Sequence, residues 1–212
     1  MRVRGFEIAK KVADAVENGG ELLWDGKLPE RATEHSAGYD FYAAEDVRVP
    51  SFWGAVFSKL FVKHSKNDEG KDVYKAQIMR DMKLDNPEDT KAFHDKIKER
   101  FKPTIIHTGI KAYMEGDEAL FLYNRSSNPL KLGLVMANSV GVIDSDYYSN
   151  SGNDGEIMFE YYNFMPWAVK IKKGDKVGQG VFQKYLKVDN DNATGDRTGG
   201  IGSTNAEGTE AK

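Results

Sequence analysis

Five short apolar runs in the second half of the chain decide the fold. They are EALFLY (118–123), LGLVMA (132–137), IMFEY (157–161), WAVKI (167–171) and VGQGVFQKY (177–185). Turn-forming residues separate them, at Asn128-Pro129, at Asn153-Asp154-Gly155 and at Lys173-Gly174-Asp175. Many short runs with such punctuation, and with no helical pattern between them, predict antiparallel strands in an all-β barrel or sandwich.

The flanking sequence predicts additions to this β-domain. Apolar residues recur at helical spacing at about 9–18, and the stretch of about 52–103 is dense in Lys, Asp and Glu and predicts a helical insert. From Asp189 onward the chain has almost no apolar residue, which predicts a flexible C-terminal arm. We therefore expect one domain over 1–188 and an arm over 189–212.

Composition excludes several functional classes. The 212 residues include 30 Lys+Arg and 33 Asp+Glu, a net charge of −3, and this mixed balance argues against direct binding of nucleic acid. The chain has no cysteine, and its four histidines lack metal-ligand spacing. No apolar stretch approaches the roughly 20 residues of a membrane span, and the N-terminus is too charged for a signal peptide. We expect a soluble, cytoplasmic protein without membrane contact.

Four short segments, rich in glycine, charged residues and hydroxyl groups as a set, lie where predicted strands end, at 37–40, 125–127, 141–147 and 174–179. A fifth lies in the tail at 197–204. Each alone has an ordinary explanation as a turn, a surface loop or a tail. In this order they resemble the five motifs of the trimeric deoxyuridine triphosphatases (dUTPases). The overall sequence pattern is most similar to that of phage-encoded members. The resemblance covers about 27–50 and 104–205 and misses the charged block between them.

The resemblance implies a jelly-roll-like β-barrel that assembles as a homotrimer. It also implies hydrolysis of dUTP to dUMP and pyrophosphate with Mg²⁺, which limits uracil in DNA and supplies dUMP for dTMP synthesis. Asp144 is the expected base that activates water for attack on the α-phosphate, a role that needs a well-aimed carboxylate. Tyr147 is expected beneath the deoxyribose, where it excludes a 2′-hydroxyl group. Asn138, Gly141 and Ile143 belong to the same hairpin, whose backbone reads uracil.

The other motifs supply the phosphate side of the implied site. Arg125, Ser126, Ser127 and Gln179 are expected to donate to phosphate oxygens. Asp40 is expected to hold Mg²⁺ through water, in keeping with the tightly held hydration shell of that ion. The arm would close over the triphosphate with Arg197, Gly200, Ile201, Gly202 and Ser203.

Three departures from the family pattern give separate expectations. Ile201 stands where the family usually has a phenylalanine that stacks on uracil, and Phe159 is predicted to cover the base instead. The fourth motif reads KVGQG (176–180), so we expect an altered network of subunit contacts around it. The stretch 148–153, after Tyr147, is longer than usual.

Two alternatives stay open on the sequence. One is a dCTP deaminase of the same fold, which would need a catalytic glutamate in place of the hairpin centred on Asp144. The other is a regulatory protein that binds a partner through the 52–103 insert. A packed surface decoration or a subunit-contact element is the more ordinary explanation of that insert.

Overall fold

The structure is a computed structural model that describes residues 2–10, 27–54, 65–66, 72–73, 95, 98 and 101–195. The predicted helix at about 9–18 lies outside the described residues beyond residue 10. Most of the predicted helical insert and the arm beyond residue 195 also lie outside them. The division into a domain over 1–188 and an arm over 189–212 therefore stays a prediction.

Strands dominate the described residues. They are β1 Gly5–Ile8, β2 Glu30–Arg31, β3 Tyr39–Tyr42, β4 Val47–Val49, β5 Ser65–Lys66, β6 Asp72–Val73, β7 Thr104–His107, β8 Ile110–Tyr113, β9 Glu118–Tyr123, β10 Leu134–Met136, β11 Gly141–Asp144, β12 Met158–Asn163, β13 Val169–Ile171 and β14 Lys176–Lys184. One π-helical turn covers Asn128–Leu132, and a 3₁₀ turn covers Ser145–Tyr147. Within the described residues no helix is long and apolar enough to cross a membrane.

Two antiparallel sheets organise the fold. The main sheet has the strand order β11-β9-β14-β3-β2, and the second sheet has the order β10-β12-β7. The smaller pairs β1-β8 and β4-β13 are also antiparallel. One buried apolar cluster draws side chains from both sheets, and the Phe41 ring of β3 lies 5.6 Å from the Phe159 ring of β12. The prediction of an all-β, jelly-roll-like fold is confirmed.

Side-chain alternation in β9 separates the two faces of the main sheet. Leu120 and Leu122 point into the core and are buried, whereas Phe121 and Tyr123 are only half-buried on the opposite face. Because neighbouring strands are in register, this opposite face runs across β11, β9, β14 and β3. We call it the outer face of the main sheet.

Two glycines in β14 make room for large core side chains. A Cβ atom at Gly178 would lie 2.0 Å from Cε1 of Phe159, and one at Gly180 would lie 2.8 Å from the Phe41 ring. Phe159 is 0% exposed inside the core. The prediction that Phe159 covers the uracil is therefore wrong, since a ring enclosed on all sides by the core cannot act as a lid over a ligand.

Candidate active site

Asp40 lies at the centre of a charged cluster. Its Oδ1 atom accepts a hydrogen bond of 3.1 Å from Nε of Arg125, and its Oδ2 atom lies 2.6 Å from Nζ of Lys176. The Asp40 residue is 8% exposed. A carboxylate this deep is stabilised by paired cations, and here two cations share one acid. Together with Gln179, which pairs with Asp40 across β3 and β14, these residues form the Asp40 cluster.

Gln179 is fixed by the backbone of the first motif and by the loop after β9. Its Nε2 atom donates to the carbonyl oxygen of Asn124 at 3.2 Å. A Cβ atom at Gly38 would lie 2.4 Å from Oε1 of Gln179. Glycine at position 38 therefore lets the Gln179 amide lie directly against the backbone. Three of the predicted motifs, the first, second and fourth, thus meet within one chain.

The loop that carries Ser126 and Ser127 is anchored by a buried asparagine. Asn128 is buried and donates from Nδ2 to the carbonyl oxygen of Val177 at 2.7 Å. The Tyr161 hydroxyl donates to the same carbonyl at 2.6 Å, and burial raises the pKa of Tyr161, so that this group stays protonated. Ser126 is exposed and Ser127 is half-buried at the start of the π-helical turn.

Sequence reasoning assigned no role to Asn128 or Lys176. In the sequence Asn128 is part of a turn signal, although it follows Ser127 directly. Lys176 is there a departure from the family pattern of the fourth motif. Lys176 lies three residues before Gln179, a spacing that puts two side chains on opposite faces of a regular strand. The register shift between Lys176 and Gly178 brings Lys176 to the face of Asp40, and no local sequence signal predicts that shift.

The β10–β11 hairpin places the third motif. Asn138 is exposed at its turn, where Ser139 has the uncommon positive φ of 61°. Gly141 is buried against Leu122, and a Cβ atom there would lie 3.1 Å from Cβ of that leucine. Ile143 packs against the core cluster. Asp144 is exposed at the end of β11. We call this segment, through Asp144, the Asp144 hairpin.

Tyr147 lies just beyond the Asp144 hairpin in the 3₁₀ turn. It is 6% exposed, and its hydroxyl donates to the carbonyl oxygen of Glu156 at 3.1 Å. Nδ2 of Asn153 donates to the same hydroxyl at 2.8 Å. The ring is therefore tied at its polar end by groups of its own chain.

The Asp144 hairpin and the Asp40 cluster lie apart within one chain. Asp144 is opposite Ala119 on one side of β9, and Gln179 is opposite Tyr123 on the other side. Four residues along a strand and two strand spacings give a separation of about 17 Å. Asp144 and Gln179 both belong to the outer face of the main sheet. A single chain therefore presents two separate groups of motif residues on one face, the Asp40 cluster and the Asp144 hairpin, which we call the two half-sites.

The outer face between the half-sites is apolar. Val142, Phe121 and Val181 form one row across β11, β9 and β14. Val142 is 54% exposed, and the other two side chains are half-buried. A second molecule that packed on this row would bury the exposed part of Val142.

Comparison with known proteins identifies the family. A sequence profile of the dUTPase family matches residues 89–205. The deoxyuridine 5′-triphosphate nucleotidohydrolase of Lactococcus lactis subsp. lactis (strain IL1403) is 38% identical over 208 residues, an alignment that covers 97% of this chain and 100% of the relative. The chain belongs to the dUTPase family. The sequence-based assignment is confirmed, and an alignment of this extent also includes the charged block that the motif resemblance missed.

Solved dUTPases have the same fold. The dUTPase of Streptococcus mutans has a TM-score of 0.56 and 31% identity, and the match covers 87% of this chain and 98% of that one. The dUTPase of phage phi11 of Staphylococcus aureus has a TM-score of 0.51 and 14% identity, and the match covers 91% of this chain and 96% of that one. At that identity the phage structure supports the fold alone.

The Asp40 cluster fits the water-mediated metal site that the dUTPase resemblance implies. An ionised carboxylate offers about four lone-pair sites, and one donor already occupies each Asp40 oxygen. The remaining lone pairs can accept hydrogen bonds from water held by a metal ion. Direct ligation would instead compete with Arg125 and Lys176. The arm residues of the fifth dUTPase motif, Arg197, Gly200, Ile201, Gly202 and Ser203, lie outside the described residues.

Proposed function

We propose that this chain is a dUTP diphosphatase that hydrolyses dUTP to dUMP and pyrophosphate. Membership of the dUTPase family supports the reaction. The observation of this structure that carries it is the convergence of three motif segments on Asp40. Such an activity limits uracil in DNA and supplies dUMP for dTMP synthesis. Family membership does not favour a dCTP deaminase or a solely regulatory protein.

Asp144 is the proposed general base. Its exposed position at the end of β11 allows water to reach the carboxylate, and the two β-branched residues before it, Val142 and Ile143, stiffen the strand. Asp144 takes a proton from the water whose oxygen bonds to the α-phosphorus, and pyrophosphate leaves with the electrons of the broken P–O bond. General-base assistance typically contributes about 10²- to 10⁴-fold.

The Asp144→Asn variant tests this role. We expect kcat for dUTP to fall by about 10²- to 10⁴-fold, because an amide cannot accept the proton. The thermal unfolding midpoint should stay at the wild-type value, because Asp144 is exposed. Release of pyrophosphate measures the first quantity, and circular dichroism measures the second. Activity at the wild-type level in a folded variant would refute the assignment.

The Asp40 cluster is the proposed triphosphate site. Arg125 presents a planar fork of donors that matches phosphate oxygens, and Lys176 adds a second positive charge. Ser126, Ser127 and Gln179 add neutral donors. Because Asp40 already orients both cations, little side-chain ordering remains for the nucleotide to induce.

Asp40 is also the proposed residue for Mg²⁺, through water. When bound, Mg²⁺ would offset the negative charge of the triphosphate. The contribution of the protein is to orient this carboxylate, and Arg125 and Lys176 do so by holding one oxygen each.

The active enzyme is proposed to be a homotrimer with sites shared between copies. The separation of about 17 Å between the two half-sites supports this, because that distance is too long for Asp144 to serve a phosphate held by Gln179 of the same chain. The apolar row on the outer face offers a surface on which a second copy can pack. The neighbouring copy would then bring its Asp144 hairpin to the Asp40 cluster.

The remaining motif residues are proposed for substrate selection and closure. Asn138, Gly141 and Ile143 would surround the uracil, and the Tyr147 ring would lie under the deoxyribose. The arm would supply Arg197, Gly200, Ile201, Gly202 and Ser203 over the triphosphate, excluding bulk water from the reacting bond. We place the reaction in the cytoplasm, where the deoxynucleotides for DNA synthesis are found.

The decisive experiment is a comparison of four nucleotides. Purified protein with Mg²⁺ is incubated with dUTP, UTP, dTTP or dCTP, and pyrophosphate release is measured. Turnover confined to dUTP is the expected result. Ammonia release from dCTP would instead support a deaminase, and failure of dUTP to react would refute the proposed function.

A further inference from the structure

The loop after Tyr147 is built around the hydroxyl group of that residue. The hydroxyl donates to the carbonyl oxygen of Glu156 at 3.1 Å and accepts from Nδ2 of Asn153 at 2.8 Å. The same Nδ2 atom lies 3.1 Å from the Glu156 carbonyl. These three groups therefore form a closed set of hydrogen bonds at the end of a ring that is almost fully buried. Asn153 belongs to the stretch that is longer than in the family pattern.

Asn153 is itself held in one orientation. Its Oδ1 atom accepts from Nδ2 of Asn150 at 2.9 Å and from the Gly155 amide at 3.2 Å. Asn150, which is buried, donates from the same Nδ2 atom to the Tyr147 carbonyl at 2.8 Å. Both ends of the Asn153 amide thus have partners, which fixes which end faces the tyrosine. The loop links the backbone and the side chain of Tyr147 through two asparagines.

The backbone of the loop is compact and is tied to the core. Ser149 and Asp154 adopt positive φ angles of 54° and 58°, which are uncommon for residues other than glycine. Nζ of the buried Lys111 donates to Ser149 at 3.0 Å and lies 2.9 Å from Oδ2 of Asp154. Burial alone would raise the pKa of Asp154, but hydrogen bonds from Lys111 and the Lys10 amide outweigh it and lower that pKa. The ion pair is therefore present at neutral pH.

We propose that Asn153 is a positioning residue that sets the discrimination of this enzyme against ribonucleotides. The inference rests on the proposed function, in which the Tyr147 ring lies under the sugar. The ring can exclude the 2′-hydroxyl oxygen of a ribonucleotide only if it cannot move aside. Sites that discriminate by shape need their contact residues held by supporting hydrogen bonds. Asn153 supplies that support because its amide holds the free end of the ring.

The test is a double-mutant cycle on Asn153 and Tyr147, with pyrophosphate release from dUTP and UTP as the assay. Asn153→Ala should lower the ratio of kcat/KM for dUTP to kcat/KM for UTP by about tenfold, the effect of losing one hydrogen bond to the ring. Tyr147→Phe removes only the hydroxyl and should lower the ratio similarly. Ser151→Ala, at an exposed position of the same loop, controls for general effects of loop substitution.

The double variant separates positioning from loop folding. If Asn153 acts through the hydroxyl, the double variant should have the same ratio as Tyr147→Phe alone. An unchanged ratio in Asn153→Ala, or a further loss in the double variant as large as in the single one, would overturn the proposal. If Asn153→Ala does not fold, an unchanged ratio in Tyr147→Phe would overturn it as well. A wild-type protein that releases no pyrophosphate from dUTP would instead refute the proposed function.

Discussion

Two inactive variants of this chain should restore each other's activity when they assemble together. Asp144→Asn removes the proposed base and keeps the Asp40 cluster, whereas Arg125→Ala does the reverse. Because the two half-sites lie about 17 Å apart in one chain, each functional site should need one half from each of two copies. A mixed assembly can therefore contain sites in which both halves are intact.

The expected recovery follows from counting sites in a closed ring of three. In the proposed trimer, each site would take Arg125 from one copy and Asp144 from the next copy in the ring. Any ring that contains both variants, in a ratio of two to one or one to two, has a single position where an Asp144→Asn chain is followed by an Arg125→Ala chain. One site in three is then intact, so the activity per trimer should be about one third of the wild-type value.

Co-expression with two different affinity tags provides the assay. Purification through both tags in sequence retains only mixed assemblies, and size-exclusion chromatography with light scattering checks that they are trimers. Pyrophosphate release from dUTP is then compared with each single variant and with doubly tagged wild type. Mixed trimers with no more activity than the single variants would refute the shared site. Both halves of each site would then have to come from the same chain.

Two further predictions concern stability. Gly178→Ala should lower the free energy of unfolding, measured with urea, by about 1–3 kcal/mol through its clash with Phe159. Adding Phe159→Leu to this variant should recover part of the loss. Losses that are strictly additive in the double variant would contradict the packing argument. Arg4→Met should lower the thermal midpoint at pH 7, because Arg4 donates to both oxygens of the buried Glu118 and so lowers the pKa of that carboxyl. A carboxyl whose pKa is lowered by folding stabilises the folded state above its ordinary pKa of about 4.3, and this stabilisation is lost as pH falls through the folded-state pKa. The difference in thermal midpoint between Arg4→Met and wild type should therefore shrink on acidification. A difference that is the same at all pH values would contradict this prediction.

The strands β9, β10, β12, β13 and β14 could be predicted from local sequence, because apolar runs between turn residues mark them. Glu118–Tyr123 is bounded as predicted, and the run at 177–185 differs from β14 by one residue at each end. Turn residues stop each run, and alternation identifies its buried face. The order β11-β9-β14-β3-β2 could not be predicted in this way, because it depends on pairs of residues far apart in the chain.

The candidate site could be predicted only in part, for a related reason. The motif resemblance predicts Asp40, Arg125 and Gln179 as site residues, and the structure brings them together. Nothing in the individual segments indicates that Lys176 shares the Asp40 carboxylate. Two cations on one acid arise from the register between β3 and β14, which is a property of the folded sheet. Likewise, Asn153 lies in the stretch 148–153, and the length of that stretch does not reveal a hydrogen bond to Tyr147.

Two glycines of β14 carry a sequence signal for the buried position of Phe159. Gly178 and Gly180 are two residues apart, so in a strand both lie on the same face. Glycine in the interior of a strand often marks a close approach by another group, and two on one face predict large side chains packed over them. Phe159 and Phe41 are those side chains. The glycines in place of larger residues in the fourth motif are thus explained by the core beneath the strand, so the ring that they accommodate is not available to cover a nucleotide on the outer face.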